Sequence, residues 1–394
     1  MTVVASSILW LLGLPAMFSC GYLLLLTVLS GKARGPAAPR RTPRFDVIVP
    51  AHDEEILVAR VVRSLRRCDW PSDAFRIIVV ADNCTDGTAE AARVAGAEVL
   101  EREHATLRGK GYALEYAFLD SHARGWAEAV VVVDADSEVS ANLLTTFAAR
   151  IESGAHAVQA HYGVLEPRTS WRTRLMCIAM SAFHRVRSRG RERLGLSCGF
   201  RGNGWCVTHA LLAQVPYRAF SLAEDIEFGI ELGLHGYRIH YADEASVDAE
   251  MAADTASAGS QRRRWELGRW QLLRTKTLAL LSAAAQRPSR VCLDLAVDLL
   301  VPPLTHVAAN VVLLLAVAAA LAPWQAAAWP WVWVGSACVA SLVLYVLRGW
   351  QLSGMGVRGL IDLAQAPLFL VWKALLLLRS RGSLVWVRTP RRLP

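Results

Sequence analysis

A doubly wound α/β domain set between membrane-spanning helices is the architecture this sequence predicts. Three observations carry the expectation. Hydrophobic residues make up 54% of the 394-residue chain, yet the charges crowd between positions 45 and 290. Apolar runs long enough to cross a bilayer core of about 30 Å lie outside that stretch. Inside it, short continuous apolar runs alternate with segments of helical period, the pattern of strands buried on both faces beneath crossover helices.

The elements follow in order. Residues 3–29 carry no charge. No basic residue precedes them, whereas Lys32, Arg34, Arg40, Arg41 and Arg44 follow, the reverse of a cleaved secretory signal. A retained span with its N-terminus outside and the following domain in the cytoplasm is therefore expected. This divides the chain into a span (1–30), a Pro/Gly/Arg linker (31–44), a soluble domain (45–290) and a C-terminal membrane region (291–394). In the soluble domain, FDVIVP (45–50) reads as a strand, and Leu57, Val61 and Leu65 share one face of a helix over 53–67. RIIVVA (76–81) is a second strand, followed by a helix from about 87 and a short strand near 97–100. A helix over 109–123, the strand AVVVVD (129–134) and a helix over 140–152 complete the alternating part. A basic-to-apolar helix over 261–285 suits a membrane surface.

Beyond 290, spans are expected at 295–322, interrupted by Asp298 and Pro302-Pro303, and at 329–347. The stretch 360–378 holds Asp362, Lys373 and Pro367, and is read as interfacial or re-entrant. The tail with Arg379, Arg381, Arg388, Arg391 and Arg392 is expected to stay cytoplasmic. A net charge of +9 points to anionic lipid and anionic substrates. No stripe of cations interleaved with aromatics marks the soluble part, so nucleic acid is not an expected partner. Eight cysteines without a CxxC pair fit reduced thiols, with Cys20 and Cys338 as apolar fillers of spans.

In an open α/β sheet, ligands bind beyond the carboxyl ends of the strands, so those ends hold the candidate chemistry. VVVDADSE (131–138) delivers Asp134 and Asp136 there, oxygens of the kind that hold a hard divalent cation with substrate phosphates; a plain turn favours Asp too. In VVADNCTDGT (79–88), Asp82 can accept a hydrogen bond from a base or ribose, while Asp86 and Thr88 suit capping. Ala51, His52, Asp53 and Glu54 follow the first strand. Lys110, between two glycines, is either a solvated cation or a phosphate contact. Glu224, Asp225 and Glu227 open a helix whose dipole accepts acids, and an acid there can also act as general base. QRRRWELGRW (261–270) is a basic amphipathic stretch.

In this order the motifs resemble membrane-bound glycosyltransferases of family 2, relatives of the cellulose, chitin, hyaluronan and poly-N-acetylglucosamine synthases. The resemblance covers roughly residues 45–270. It implies a Rossmann-like GT-A nucleotide-sugar domain flanked by transmembrane helices, in the cell (inner) membrane, with the catalytic domain cytoplasmic. It further implies a nucleotide-sugar donor, UDP-linked, and a lipid-linked or polysaccharide acceptor. Ala51, His52, Glu54, Asp82 and Lys110 then face the nucleotide. Asp134 and Asp136 match the DxD that holds Mg²⁺ or Mn²⁺. GFRGNGW (199–205), with Gly202 and Asn203, resembles the acceptor loop. Glu224-Asp225 matches Thr-Glu-Asp with Ala223 in place of Thr, making Asp225 the base and placing Glu224 on the acceptor side. Gln261, Arg264 and Trp265 match QxxRW, toward donor and, for Trp265, acceptor. Ala81 replaces the first Asp of the usual pair. The implied reaction is one inverting displacement, in a single transfer or a processive synthesis. A non-catalytic nucleotide-sugar sensor is the rival, and the intact acidic set argues against it.

Overall fold

The computed structural model describes residues 3–33, 35–251 and 255–365, and for 255–265 the backbone alone. The described residues divide into two compact units, one drawn from 3–32, 168–194 and 297–365, the other from 33–167 and 195–296.

The second unit is built on an eight-stranded sheet. Its strands are β1 (Phe45–Ala51), β2 (Phe75–Asp82), β3 (Glu98–Arg102), β4 (Ala129–Val132), β5 (Ser137–Val139), β6 (Ala157–Val164), β7 (Trp205–Thr208) and β8 (His240–Ala249). They lie in the order β3-β2-β1-β4-β7-β6-β8-β5. The first four are parallel, with Asp82 in register with Arg102 at the ends of β2 and β3. Both faces are buried, as the continuous apolar runs predicted. Val47, Val49, Val79 and Val131 pack on one side, and Ile48, Ile78, Val80, Val130 and Val132 on the other. The helices Val58–Leu65, Thr88–Val94, Lys110–Arg124 and Leu143–Glu152 fall where helical period placed them.

Two differences follow from tertiary pairing. β7 inserts antiparallel between β4 and β6, and β5 pairs antiparallel with β8, so the sheet is mixed rather than parallel. These strands are short, and their pairing partners are distant in sequence, which periodicity cannot reveal. β4 also ends at Val132, leaving Asp134 in the turn beyond it.

The first unit holds three helices long and apolar enough to cross a membrane, Val3–Val28, Leu304–Leu321 and Ala326–Ser353. The expected span at 295–322 is thus shorter. A separate helix, Arg290–Leu300, precedes it, and Pro302 and Pro303, which have no N–H to donate, break the two apart. Asp298 in that earlier helix accepts from Arg187 and Arg191, the latter 3.0 Å away. Both arginines come from Arg168–Leu194, a segment that sequence order places inside the soluble domain. Asp362, in the helix Gly356–Ala364, is buried and bonded to Arg174. Residues 366–378 of the expected interfacial stretch, and the basic tail, lie outside the described residues.

At the base of β1 a buried carboxylate ties three elements together. Arg76 grips both oxygens of Asp46 at 2.8 Å, Ser121 donates to Oδ2 at 2.6 Å, and Arg76 stacks over Trp126. Asp46→Ala leaves these donors without their acceptor. The expected cost is about 3 kcal/mol, a fall in Tm of roughly 6–12 °C, read by thermal unfolding of the detergent-solubilised chain. An unchanged Tm would refute this role for Asp46.

Candidate active site

The turn after β4 is held from a distant part of the sequence. Asn203, fully buried, accepts the Asp134 backbone N–H on Oδ1 at 3.0 Å and donates through Nδ2 to Ser137 Oγ at 2.7 Å. Ser137 Oγ in turn donates to Asp136 Oδ1 at 3.1 Å, so one amide orients both aspartates. The Asp136 carbonyl accepts from Arg60 at 3.2 Å. The loop carrying Asn203 is itself fastened by Gln159 of β6. The Gln159 amide donates to the Asn203 carbonyl at 2.7 Å and its oxygen accepts the Arg201 N–H at 2.8 Å.

Lys110 joins these parts. Its ammonium lies 2.6 Å from Asp134 Oδ1 and 3.7 Å from Glu224, and donates to the Gly202 carbonyl. The helix that begins at Lys110 can approach closely because the next residue is Gly111: a Cβ there would stand 2.3 Å from the Ala219 carbonyl oxygen. Burial lowers the proton affinity of Lys110, but Asp134, Glu224 and Asp225 outweigh it and raise the pKa, so the ammonium stays charged. Asp225 lies beside Gly202, at the start of the helix Glu224–Leu234. Burial pushes its carboxyl above the ordinary carboxylate range, against the pull of Lys110 and Arg201. A carboxylate with raised proton affinity can take a proton from a hydroxyl.

A second group gathers at the ends of β1 to β3. Asp82 is buried and accepts on Oδ1 from Arg102 at 2.5 Å and from Asn83 Nδ2 at 3.0 Å. His52, just past β1 and its terminal Ala51, bonds the Asp82 carbonyl through Nδ1 at 2.7 Å. The Glu54 N–H donates to Thr88 Oγ1 at 2.8 Å, and Asp53 Oδ1 accepts the Thr85 N–H at 2.6 Å, joining the first two strand ends.

Lys110, Asp134, Gly202 and Glu224 are in direct contact, with Asp136, Asn203 and Asp225 alongside. Asp82, His52 and Ala51 form the neighbouring group. The side chains of Gln261, Arg264 and Trp265 lie outside the described residues. Their helix, Thr255–Gln286, brings Gly268 so close to Ala223 that a Cβ there would stand 2.8 Å from the Ala223 Cβ. Sequence reasoning missed Arg102 and Gln159. A glutamine inside the apolar run AVQA was the one available signal for the last.

Asp134 and Asp136 are half-buried, and Asp134 is already paired with one cation, the Lys110 ammonium. Two fixed, hard oxygen donors with a charge to neutralise fit a divalent metal.

A family model described as glycosyltransferase like family 2 matches residues 43–268, more than half of the chain. The chain belongs to that family. It is 24% identical over 239 residues to the probable glycosyltransferase YdaM of Bacillus subtilis (strain 168), covering 58% of this chain and 56% of that protein. It is 25% identical over 244 residues to the beta-monoglucosyldiacylglycerol synthase of Synechocystis sp., covering 60% and 50%. The chain thus spans about half the length of the curated relatives it matches. Among solved structures, mannosyltransferase PcManGT from Pyrobaculum calidifontis, in complex with GDP-Man and Mn²⁺, superposes with a TM-score of 0.50 at 21% identity, over 84% of this chain and 98% of that one. That likeness gives the family 2 chain the same GT-A fold.

Replacing Asn203 by Ala removes the acceptor of the buried Asp134 N–H and frees Ser137. The expected loss is about 1–3 kcal/mol of stability, measured by thermal unfolding. A variant as stable as the wild type would show that Asn203 does not hold the aspartate turn.

Proposed function

We propose that this family 2 chain transfers a sugar, with inversion, from a nucleotide-sugar to a hydroxyl of a lipid-linked or polysaccharide acceptor at the cytoplasmic face of a membrane. The observation that carries the reading is the contact of one ammonium, Lys110, with the DxD carboxylate Asp134, the loop carbonyl of Gly202 and the acid Glu224. It sets a diphosphate-binding edge against a half-buried acid, Asp225.

Asp134 and Asp136 would hold Mg²⁺ or Mn²⁺, which supplies a positive charge to the leaving diphosphate. Lys110 adds a second positive charge on the same side. Asp82 and His52 face the base and ribose, and by family resemblance Gln261 and Arg264 reach the donor. On the acceptor side Gly202, Glu224 and Trp265 seat the hydroxyl. Asn203, expected there from sequence, is instead fully buried with its amide committed to the Asp134 N–H and Ser137, and so acts by holding the aspartate turn. Asp225 removes the hydroxyl proton as the new bond to the anomeric carbon forms and the bond to the diphosphate oxygen breaks. One displacement inverts the centre, so no carboxylate nucleophile is needed.

The beta-monoglucosyldiacylglycerol synthase relative and the three apolar helices favour an amphiphilic acceptor held near the bilayer. A processive polysaccharide synthase is the second reading. It is favoured by 21% identity over 255 residues to the probable glucomannan 4-beta-mannosyltransferase 1 of Arabidopsis thaliana. Membranes incubated with labelled nucleotide-sugars and Mn²⁺ or Mg²⁺ separate the two. Label in organic-extractable lipid supports the first, label in polymer the second, and label in neither overturns transfer altogether.

Asp225→Asn keeps the shape of the side chain but cannot take a proton. Turnover is expected to fall by about 10²–10⁴-fold while nucleotide binding is kept. In the wild type the rate should fall as pH drops and Asp225 protonates, with this acid limb above the ordinary carboxylate range because burial raises its pKa. Turnover in the Asn variant above about a hundredth of wild type would remove Asp225 as the base.

A further inference from the structure

We propose that Arg102 selects the base of the nucleotide donor, admitting uracil and rejecting guanine. This rests on the reading above that the base sits at the end of β2, beside Asp82.

The Asp82–Arg102 pair joins the last residues of two adjacent parallel strands, and both side chains are largely shielded, at 8% and 10% exposure. The two donors that the described residues bring to Asp82, Arg102 Nη1 at 2.5 Å and Asn83 Nδ2 at 3.0 Å, both end on Oδ1. Oδ2 remains the acceptor of this carboxylate for a ligand. The pair is held rigidly. Asn83, in the left-handed region at φ +52°, donates its backbone N–H to the Arg102 carbonyl at 2.7 Å and accepts the His104 N–H on Oδ1 at 2.9 Å. The guanidinium lies 5.8 Å from the Tyr112 ring, which is stacked on Phe220 with centroids 4.5 Å apart.

Such a pair presents one carboxylate oxygen next to a bank of guanidinium donors. Uracil offers one imide N–H between two carbonyls, so its N–H matches Oδ2 and a flanking carbonyl matches Arg102. Guanine offers two adjacent donors, the ring N–H and the exocyclic amine, which a carboxylate binds by using both oxygens. Here Oδ1 is committed. In one orientation the amine faces the guanidinium, donor against donor; in the other it finds no second carboxylate oxygen. A shielded polar group without its partner is strongly disfavoured, which is how a polar site rejects a near-miss ligand. Arg102 therefore sets specificity by occupying half of Asp82 as much as by contacting the base.

The test is calorimetric titration of UDP and of GDP, with Mn²⁺, into the detergent-solubilised full chain and its Arg102→Met and Arg102→Lys variants. The wild type should bind UDP at least about 100-fold tighter than GDP, a modest share of what polar sites achieve. In Arg102→Met, Oδ1 keeps only the Asn83 donor and can accept a second one from the base, so UDP should weaken, GDP should strengthen, and the ratio should fall below about tenfold. Arg102→Lys keeps the ion pair with a single point donor and should fall between them. It serves as the readout if the Met variant does not fold. An arginine with only a structural role would weaken both nucleotides alike. An unchanged UDP/GDP ratio in the variants, or a wild type that prefers GDP or discriminates less than tenfold, overturns the assignment to Arg102 and leaves the donor site standing. Binding of neither nucleotide by the folded wild type overturns the donor-site reading and this inference with it.

Discussion

The ammonium of Lys110 is the contact on which the site depends. Asp134, Glu224 and Asp225 all act on it, and Asp136 repels Asp134 from the next position but one. Carboxylates brought this close in a shielded place repel one another unless cations stand between them. Lys110 supplies one such charge and, by donating to the Gly202 carbonyl, also fixes the loop that carries Asn203. The negative charge that Lys110 leaves unbalanced is what the proposed function assigns to a divalent cation and, through it, to a diphosphate.

The sheet explains why these groups meet at all. With both faces buried, polar side chains of the first four strands are pushed to the strand ends and the turns beyond them. Asp82, His52 and Asp134 occupy such ends. The antiparallel strand β7 then brings the loop 199–204 beside β4, so that Asn203 can satisfy the Asp134 N–H. Close approach of the helix at Lys110 is bought with a glycine at 111, where any larger residue meets the Ala219 carbonyl.

The unit of the three apolar helices follows the same rule. Asp298 and Asp362 read in sequence as charges that would weaken spans. In space each has an arginine partner from the segment Arg168–Leu194, and each sits in a helix other than the three apolar ones. The segment carries arginines at 168, 172, 174, 185, 187, 189, 191 and 193, which read linearly as a charged part of the soluble domain. Its assignment to the unit of the apolar helices needed three-dimensional contacts.

Much of the protein was legible in the sequence because the signals are local. Continuous apolar runs located β1, β2 and β4, helical period located the crossover helices, and strand-end position singled out Asp82, Asp134 and Asp136. Residue chemistry marked Lys110 and the Glu224-Asp225 pair, and family resemblance then added Gly202 and Asn203. What tertiary structure alone decided depends on partners far apart in the chain. These are the antiparallel strands, the anchoring of the aspartate turn by Asn203 and Gln159, and the capture of Asp82 by Arg102 twenty positions on. A hydrogen bond or ion pair forms between residues that folding brings within about 3 Å, and linear spacing carries no record of that distance. Composition and period therefore determined which elements form and where the acids lie; packing decided which of those acids already has a partner.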